Sequence, residues 1–185
     1  MSHSWSDDGS AKYNKLHEWA RELGGDDDKL VWLDKACIDQ ENIDASLAAL
    51  PIYLSGCQQL LMLVGPTYIT RLWCVMEVFV FMRIKDLGAT VGSTQLTSPL
   101  AVKFLGDNAD LAQNLARFDA AKAQCRYDRD RQKLLAVIEA SFGTTAPFNQ
   151  LVREVLNARV LGLKEVSRHK GRTGLTSTES DVVVV

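Results

Sequence analysis

Leu60-Leu61-Met62-Leu63-Val64, closed by Gly65-Pro66, is the stretch on which the fold turns. Five apolar residues in a row, set between the polar Gln58-Gln59 and a Gly-Pro breaker, read as a strand buried on both faces. A strand with one wet face would alternate apolar and polar residues instead. Just downstream, 70–85 is a long apolar segment with Trp73, Val75, Phe79 and Met82 among its core candidates, and its length favours helix over strand. Upstream, Leu30-Val31-Trp32-Leu33 is short, apolar and flanked by polar residues. It reads as a second doubly buried strand, ending at Asp34.

Further out, Tyr13, Leu16, Trp19, Ala20 and Leu23 recur at helical spacing over 11–23, and Gly24-Gly25 ends that helix before the acidic turn Asp26-Asp27-Asp28. A loop over 35–42 leads to a helix over 43–55, which Pro51 should kink or divide. The Gly-, Ser- and Thr-rich 88–99 reads as a mobile connection and 100–105 as a third strand. Helices are expected near 107–117, 128–142 and 147–159. Strands alternate with helices in the first half, which predicts an α/β domain built on a parallel sheet with helices on its faces. Ligands of such sheets bind outside the carboxyl ends of the strands, so the loops 4–9, 34–42 and 65–72 should come together. The organisation expected is an α/β core over 1–105, a helical portion of the same domain over 106–160, and a flexible tail over 161–185.

Bulk properties narrow the function. The 185 residues are 46% apolar and 24% charged, enough for a sizeable core. A net charge of −2 from 21 basic and 23 acidic side chains creates no field that would draw nucleic acid or anionic lipid. Arg168, His169, Lys170 and Arg172 form only a small basic tail, read as solvated. No apolar run is long enough for a membrane span, and no basic-then-apolar leader is present, so the cytoplasm is the expected compartment. Cys37, Cys57, Cys74 and Cys125 are scattered without a CxxC pair, which favours buried free thiols over zinc ligands or disulfides.

The chemistry concentrates in Arg71-Leu72-Trp73-Cys74-Val75-Met76-Glu77-Val78. Glu77 is the one charge between Leu72 and Met82, one helical turn beyond Trp73. A bland reading makes it a helix-dipole or salt-bridge residue. With the surrounding motifs, however, the order resembles that of Toll/interleukin-1 receptor (TIR) domains. Ser2-His3-Ser4 resembles the end of the first TIR strand, Trp32-Leu33-Asp34 the end of the second, and Leu60 to Val64 with Thr67-Tyr68 the third and its exit loop. Trp73-Cys74-Val75-Met76-Glu77-Val78 resembles the WCxxE helix that carries the catalytic glutamate in TIR domains that cleave NAD. The stretch Trp32 to Gln40 is also similar to the signature of fungal heterokaryon-incompatibility domains, which are TIR-like. Beyond Gly88 the resemblance is thin.

The resemblance implies a flavodoxin-like, three-layer fold whose first strand lies between the second and third. Here the chain reaches the Ser-His-Ser element almost at once, so a shortened first strand is expected, with Val182 to Val185 a segment able to fill the slot. It further implies cleavage of the ribose–nicotinamide bond, with NAD as substrate rather than cofactor, no metal, and self-association through the domain. Glu77 would be the catalytic carboxylate, and Ser2, His3, Ser4, Trp5, Asp34, Lys35 and Trp73 would contact substrate. Cleavage builds positive charge on the sugar, which a carboxylate beneath it stabilises; the leaving group is already cationic, so no strong general acid is needed.

Each contact has a plainer reading. His3 and Ser4 lack the partnered acid of a nucleophile pair and read as a loop lining the crevice. Trp5 and Trp73 are as suited to packing as to stacking on a base. Asp34 can cap the following loop, and Lys35, Asp39 and Gln40 sit in a loop that serves assembly in TIR domains. A non-catalytic assembly module is therefore the second reading. A mononucleotide binder is weaker, because no Gly-rich phosphate loop follows a predicted strand.

Overall fold

Among the described residues, strand β2, Leu60–Val64, is the middle of a three-stranded parallel sheet. Its register pairs Leu60 with Leu100 and Val64 with Phe104 on β3, Leu100–Phe104. On the other side, Met62 and Leu63 pair with Ser2 and His3 of β1, Ser2–His3. The computed structural model describes residues 1–24, 30–37, 43–89, 100–106 and 110–158, with the backbone alone described at 35, 43–47 and 86–89. The expected segments over 25–29, 38–42, 90–99, 107–109 and 159–185 lie outside these, including Asp26 to Asp28, Asp39, Gln40, the basic tail and Val182 to Val185.

All five β2 residues are buried, and alternation divides them between two cores. Leu61 and Leu63 face the layer formed by α1, Gly9–Glu22, through Ala11, Leu16 and Trp19. Leu60, Met62 and Val64 face a larger core. This one holds residues of α3, Ile43–Ser55; α4, Leu72–Ala89; α5, Leu111–Ala116; α6, Asp128–Phe142; and α7, Thr145–Leu156. The helices of the second half thus share the core of the first, with Phe148 of α7 edge-on to Phe79, Phe142 and Phe118.

Several expectations need correction. Leu30 to Leu33 is not a strand: Leu30 is 99% and Val31 41% exposed, and only Trp32 packs on the core, stacked on Tyr53. An apolar run becomes a buried strand only where a neighbour offers a ladder and helices cover both faces. Here the adjoining strand is two residues long, and among the described residues the segment gains no ladder: the Met1 ammonium donates to the Trp32 carbonyl at 2.7 Å, and the Leu33 carbonyl accepts only locally, from the Ala36 and Cys37 N–H groups. The ladder order is accordingly β1-β2-β3, with β2 rather than the first strand in the middle. The expected loop after Asp34 begins as a short helix, α2, Asp34–Cys37. Pro51 lies inside α3 without dividing it, and α4 continues past Gly88 to Ala89. All four cysteines are free, but Cys74 alone is buried; Cys37 is exposed and the other two are half-buried. Among the described residues no helix is long and apolar enough to cross a membrane.

Candidate functional site

Glu77 lies on the second turn of α4, 2% exposed. An apolar helix packed against a sheet buries whatever sits on its inner face, and a carboxyl placed there must find donors. Ser2 Oγ supplies one, donating to Glu77 Oε2 at 2.6 Å, and itself lies 2.7 Å from the Tyr68 hydroxyl. Among the described residues no ion pair closes on Glu77. Burial pushes its carboxyl up to about 8, against the Ser2 hydrogen bond, which favours the charged form; the Asp34 carboxylate adds to the upward push. At neutral pH this closed arrangement therefore holds Glu77 mostly as the neutral acid.

Trp73, one turn before Glu77, packs against the main core. Its indole N–H is close enough to favour the Glu77 carboxylate, yet it aligns with no acceptor and stays unpaired, so it is a neighbouring donor rather than a formed hydrogen bond. Cys74 donates its thiol to the His3 carbonyl at 3.3 Å, fastening α4 to β1. Burial raises that thiol well above its ordinary range, so it is no thiolate nucleophile.

The turn after β1 is anchored to the turn after β2. Asp7, 6% exposed, accepts from the backbone N–H of Thr67 at 3.0 Å and from its hydroxyl at 2.7 Å, and Ser4 Oγ lies 2.7 Å from that hydroxyl. Lys12 of α1 reaches back to the Ser4 carbonyl at 2.9 Å and lies over the Trp5 ring. Trp5, 48% exposed, packs edge-on to His3 with ring centroids 4.2 Å apart, and its indole N–H donates to Asp34 Oδ2 at 3.3 Å. Burial lowers the His3 imidazole to about 4, so it is neutral at pH 7.

Ser2, His3, Ser4, Trp5, Asp34, Trp73 and Glu77 thus gather at the β1 end of the sheet. Trp5 and Asp34 join the first two of the three expected loops, and Asp7 and Thr67 join the first to the third. Ser2, His3 and Ser4 do not line an open crevice, however: they are 0%, 7% and 1% exposed. Ser2 is committed to Glu77 and Tyr68, and Ser4 to Thr67. Lys35 falls in α2, where its side chain is outside the described portion. Sequence reasoning missed Tyr68, Asp7, Thr67 and Lys12. In sequence Tyr68 reads only as part of an exit loop, and nothing local marks it as the partner of a serine 66 positions away.

A cavity of about 50 Å³ lies elsewhere, between α4 and α7, among Val75, Val78, Phe79, Met82, Val152 and Val155. It is apolar and includes none of the expected site residues. Among the described residues no group of three or more His, Cys, Asp or Glu side chains could hold a metal ion. Comparison with protein-family models, with curated proteins and with solved structures finds no match for this chain.

Proposed function

We propose that this chain is a TIR-like domain of flavodoxin-like architecture whose Glu77 serves cleavage of the N-glycosidic bond of NAD, releasing nicotinamide within a cytoplasmic signalling or cell-death response. The observation that carries the reading is the placement of Glu77. Its carboxyl is held at 2.6 Å by Ser2, at the end of the sheet where the Trp5–Asp34 contact joins the two turns.

In this reading the closed arrangement is a resting one. Ribose must reach Glu77, so the Trp5–Asp34 contact and the turn beneath it must part. Trp5 is the mobile piece suited to this, since half of its surface is already exposed and its bond to Asp34 is long. Substrate also changes the ionisation of Glu77: the nicotinamide of NAD is cationic, and a positive charge nearby offsets the burial that keeps the carboxyl protonated. The ionised group then faces the charge that develops on the sugar as nicotinamide departs. Self-association of TIR-like domains offers a route to the open arrangement.

Following nicotinamide release from NAD by the full chain, with Glu77→Ala alongside, tests the proposal. Release by the wild type that falls to background in the variant is expected; equal rates in both would remove the catalytic claim.

A second reading is favoured by the 2% exposure of Glu77: a non-catalytic module that uses the fold for homotypic assembly. Light scattering run beside the same assay separates the two, because assembly without turnover belongs to the scaffold.

A further inference from the structure

When Glu77 is ionised its carboxylate can only accept, so the one proton of the Ser2 hydroxyl is given to Glu77 Oε2 across 2.6 Å. Ser2 Oγ is then the acceptor for the Tyr68 hydroxyl at 2.7 Å, which sets the direction of the whole chain: Tyr68 donates to Ser2, and Ser2 donates to Glu77. Ser2 and Tyr68 are 0% and Glu77 2% exposed, so bulk water does not compete for these bonds. In a dry site a hydrogen-bonded chain is stronger than its links taken in water, and each member holds the next in orientation.

We propose that Ser2 and Tyr68 are positioning residues for Glu77, acting as a two-hydroxyl chain that aims Oε2 and favours its ionised form. The three come from three different elements: β1, the short 3-10 turn Tyr68–Thr70, and α4. The arrangement therefore depends on the tertiary fold and reports it to the carboxyl. Other groups also bear on Glu77. The Met1 ammonium at the start of β1 and Trp73 on α4 favour the carboxylate, Asp34 on α2 opposes it, and Cys74 on α4 stays a neutral thiol. Ser2 ranks first among those that favour the charged form, and Tyr68 acts through Ser2. The catalytic consequence rests on the NAD reading; the hydrogen-bonded chain does not.

The test is an NMR titration of the Glu77 side-chain carboxyl in the full chain. Its resonance is assigned by its loss in Glu77→Gln, and the amide spectrum serves as the control for folding. Wild type should titrate at about 8. Ser2→Ala should move the midpoint up by about one pH unit, the size expected for losing one hydrogen bond to a charged group. Tyr68→Phe, which keeps the ring and removes only the hydroxyl, should move it the same way by roughly half as much. If Ser2→Ala loses its dispersed amide spectrum, Tyr68→Phe decides alone. Unmoved midpoints in the folded variants overturn the proposal. Nicotinamide release measured on the same samples keeps the two ideas apart. Shifted midpoints without turnover support the chain and remove the NAD reading, whereas unmoved midpoints with turnover remove the chain and leave that reading standing.

Discussion

Ser2 Oγ and Glu77 Oε2, 75 positions apart in sequence, meet at 2.6 Å in a place closed to solvent. The burial of that carboxyl, which the Ser2 hydrogen bond only partly offsets, sets how stability should respond to pH. In the folded chain Glu77 keeps its proton up to about pH 8, whereas unfolded it releases the proton near 4.5. Between those values the folded state binds the extra proton, so the Glu77 contribution to stability is largest below about 4.5, declines as pH rises through the window, and is flat above 8.

Glu77→Gln keeps the shape and removes the titration. Relative to wild type the variant should gain stability as pH rises from 4.5 to 8, by up to about 1.4 kcal/mol per pH unit. Urea midpoints for both proteins at several pH values across that range test it. Two stability curves that run parallel would show that Glu77 does not titrate as a buried acid.

Gly65 is held to glycine by space. A Cβ there would run into Asp7 Oδ2, and Asp7 has nowhere to retreat because Thr67 holds its other oxygen through two hydrogen bonds. Gly65→Ala should therefore cost about 1–3 kcal/mol, the usual range for overpacking. Asp7→Ala should also destabilise, by leaving the Thr67 N–H without its acceptor. The double variant should be less destabilised than the sum of the two, because the alanine at position 7 removes the clash. Additive losses in denaturant unfolding would mean that the two residues do not meet.

The elements legible in the sequence are those whose signal is local. The 128–142 helix was expected at the bounds found, with Asp128 and Asp130 in its first turn and Gly143 beyond its end at φ 78, a backbone conformation that favours glycine. β2 was legible because five apolar residues between breakers leave few other solutions. Leu30 to Leu33 has a similar composition and failed, because burial of a strand is decided by its neighbours and not by its own residues. The site divides in the same way. Glu77 stood out as a lone charge on an apolar helix, whereas its hydroxyl partners did not, since a bond between Ser2 and Tyr68 leaves no trace in spacing or periodicity.

Asn149 links the second half of the chain to the start of α4. It is 6% exposed, its Oδ1 accepts from the Ala120 N–H at 2.8 Å, and its Nδ2 donates to Asp119 at 3.1 Å. The same loop then pairs with the entry to α4, where the Leu72 N–H donates to the Gln124 carbonyl and the Gln124 N–H to that of Thr70. Asn149→Ala leaves the Ala120 N–H unsatisfied, which should cost about 1–3 kcal/mol. Amide hydrogen exchange should quicken at Ala120, Leu72 and Gln124 while protection within α1 holds. Equal acceleration everywhere would show a global loss of stability with no special tie to α4.

His3 should produce the opposite pH response at the acid end. Burial holds the imidazole neutral down to about pH 4 in the folded chain, whereas unfolded it gains a proton near 6.5. Between those values the unfolded state binds more protons, so this contribution is complete above 6.5 and is lost as pH falls towards 4. His3→Gln has no such titration. Its stability relative to wild type should improve on acidification through that window, even if the substitution is destabilising at pH 7 through lost packing on Trp5. Acid-induced unfolding of both proteins in the Glu77→Gln background, which removes the opposing carboxyl titration, isolates the effect. A constant difference between the two from pH 7 to 4 would mean that His3 already carries its proton in the fold.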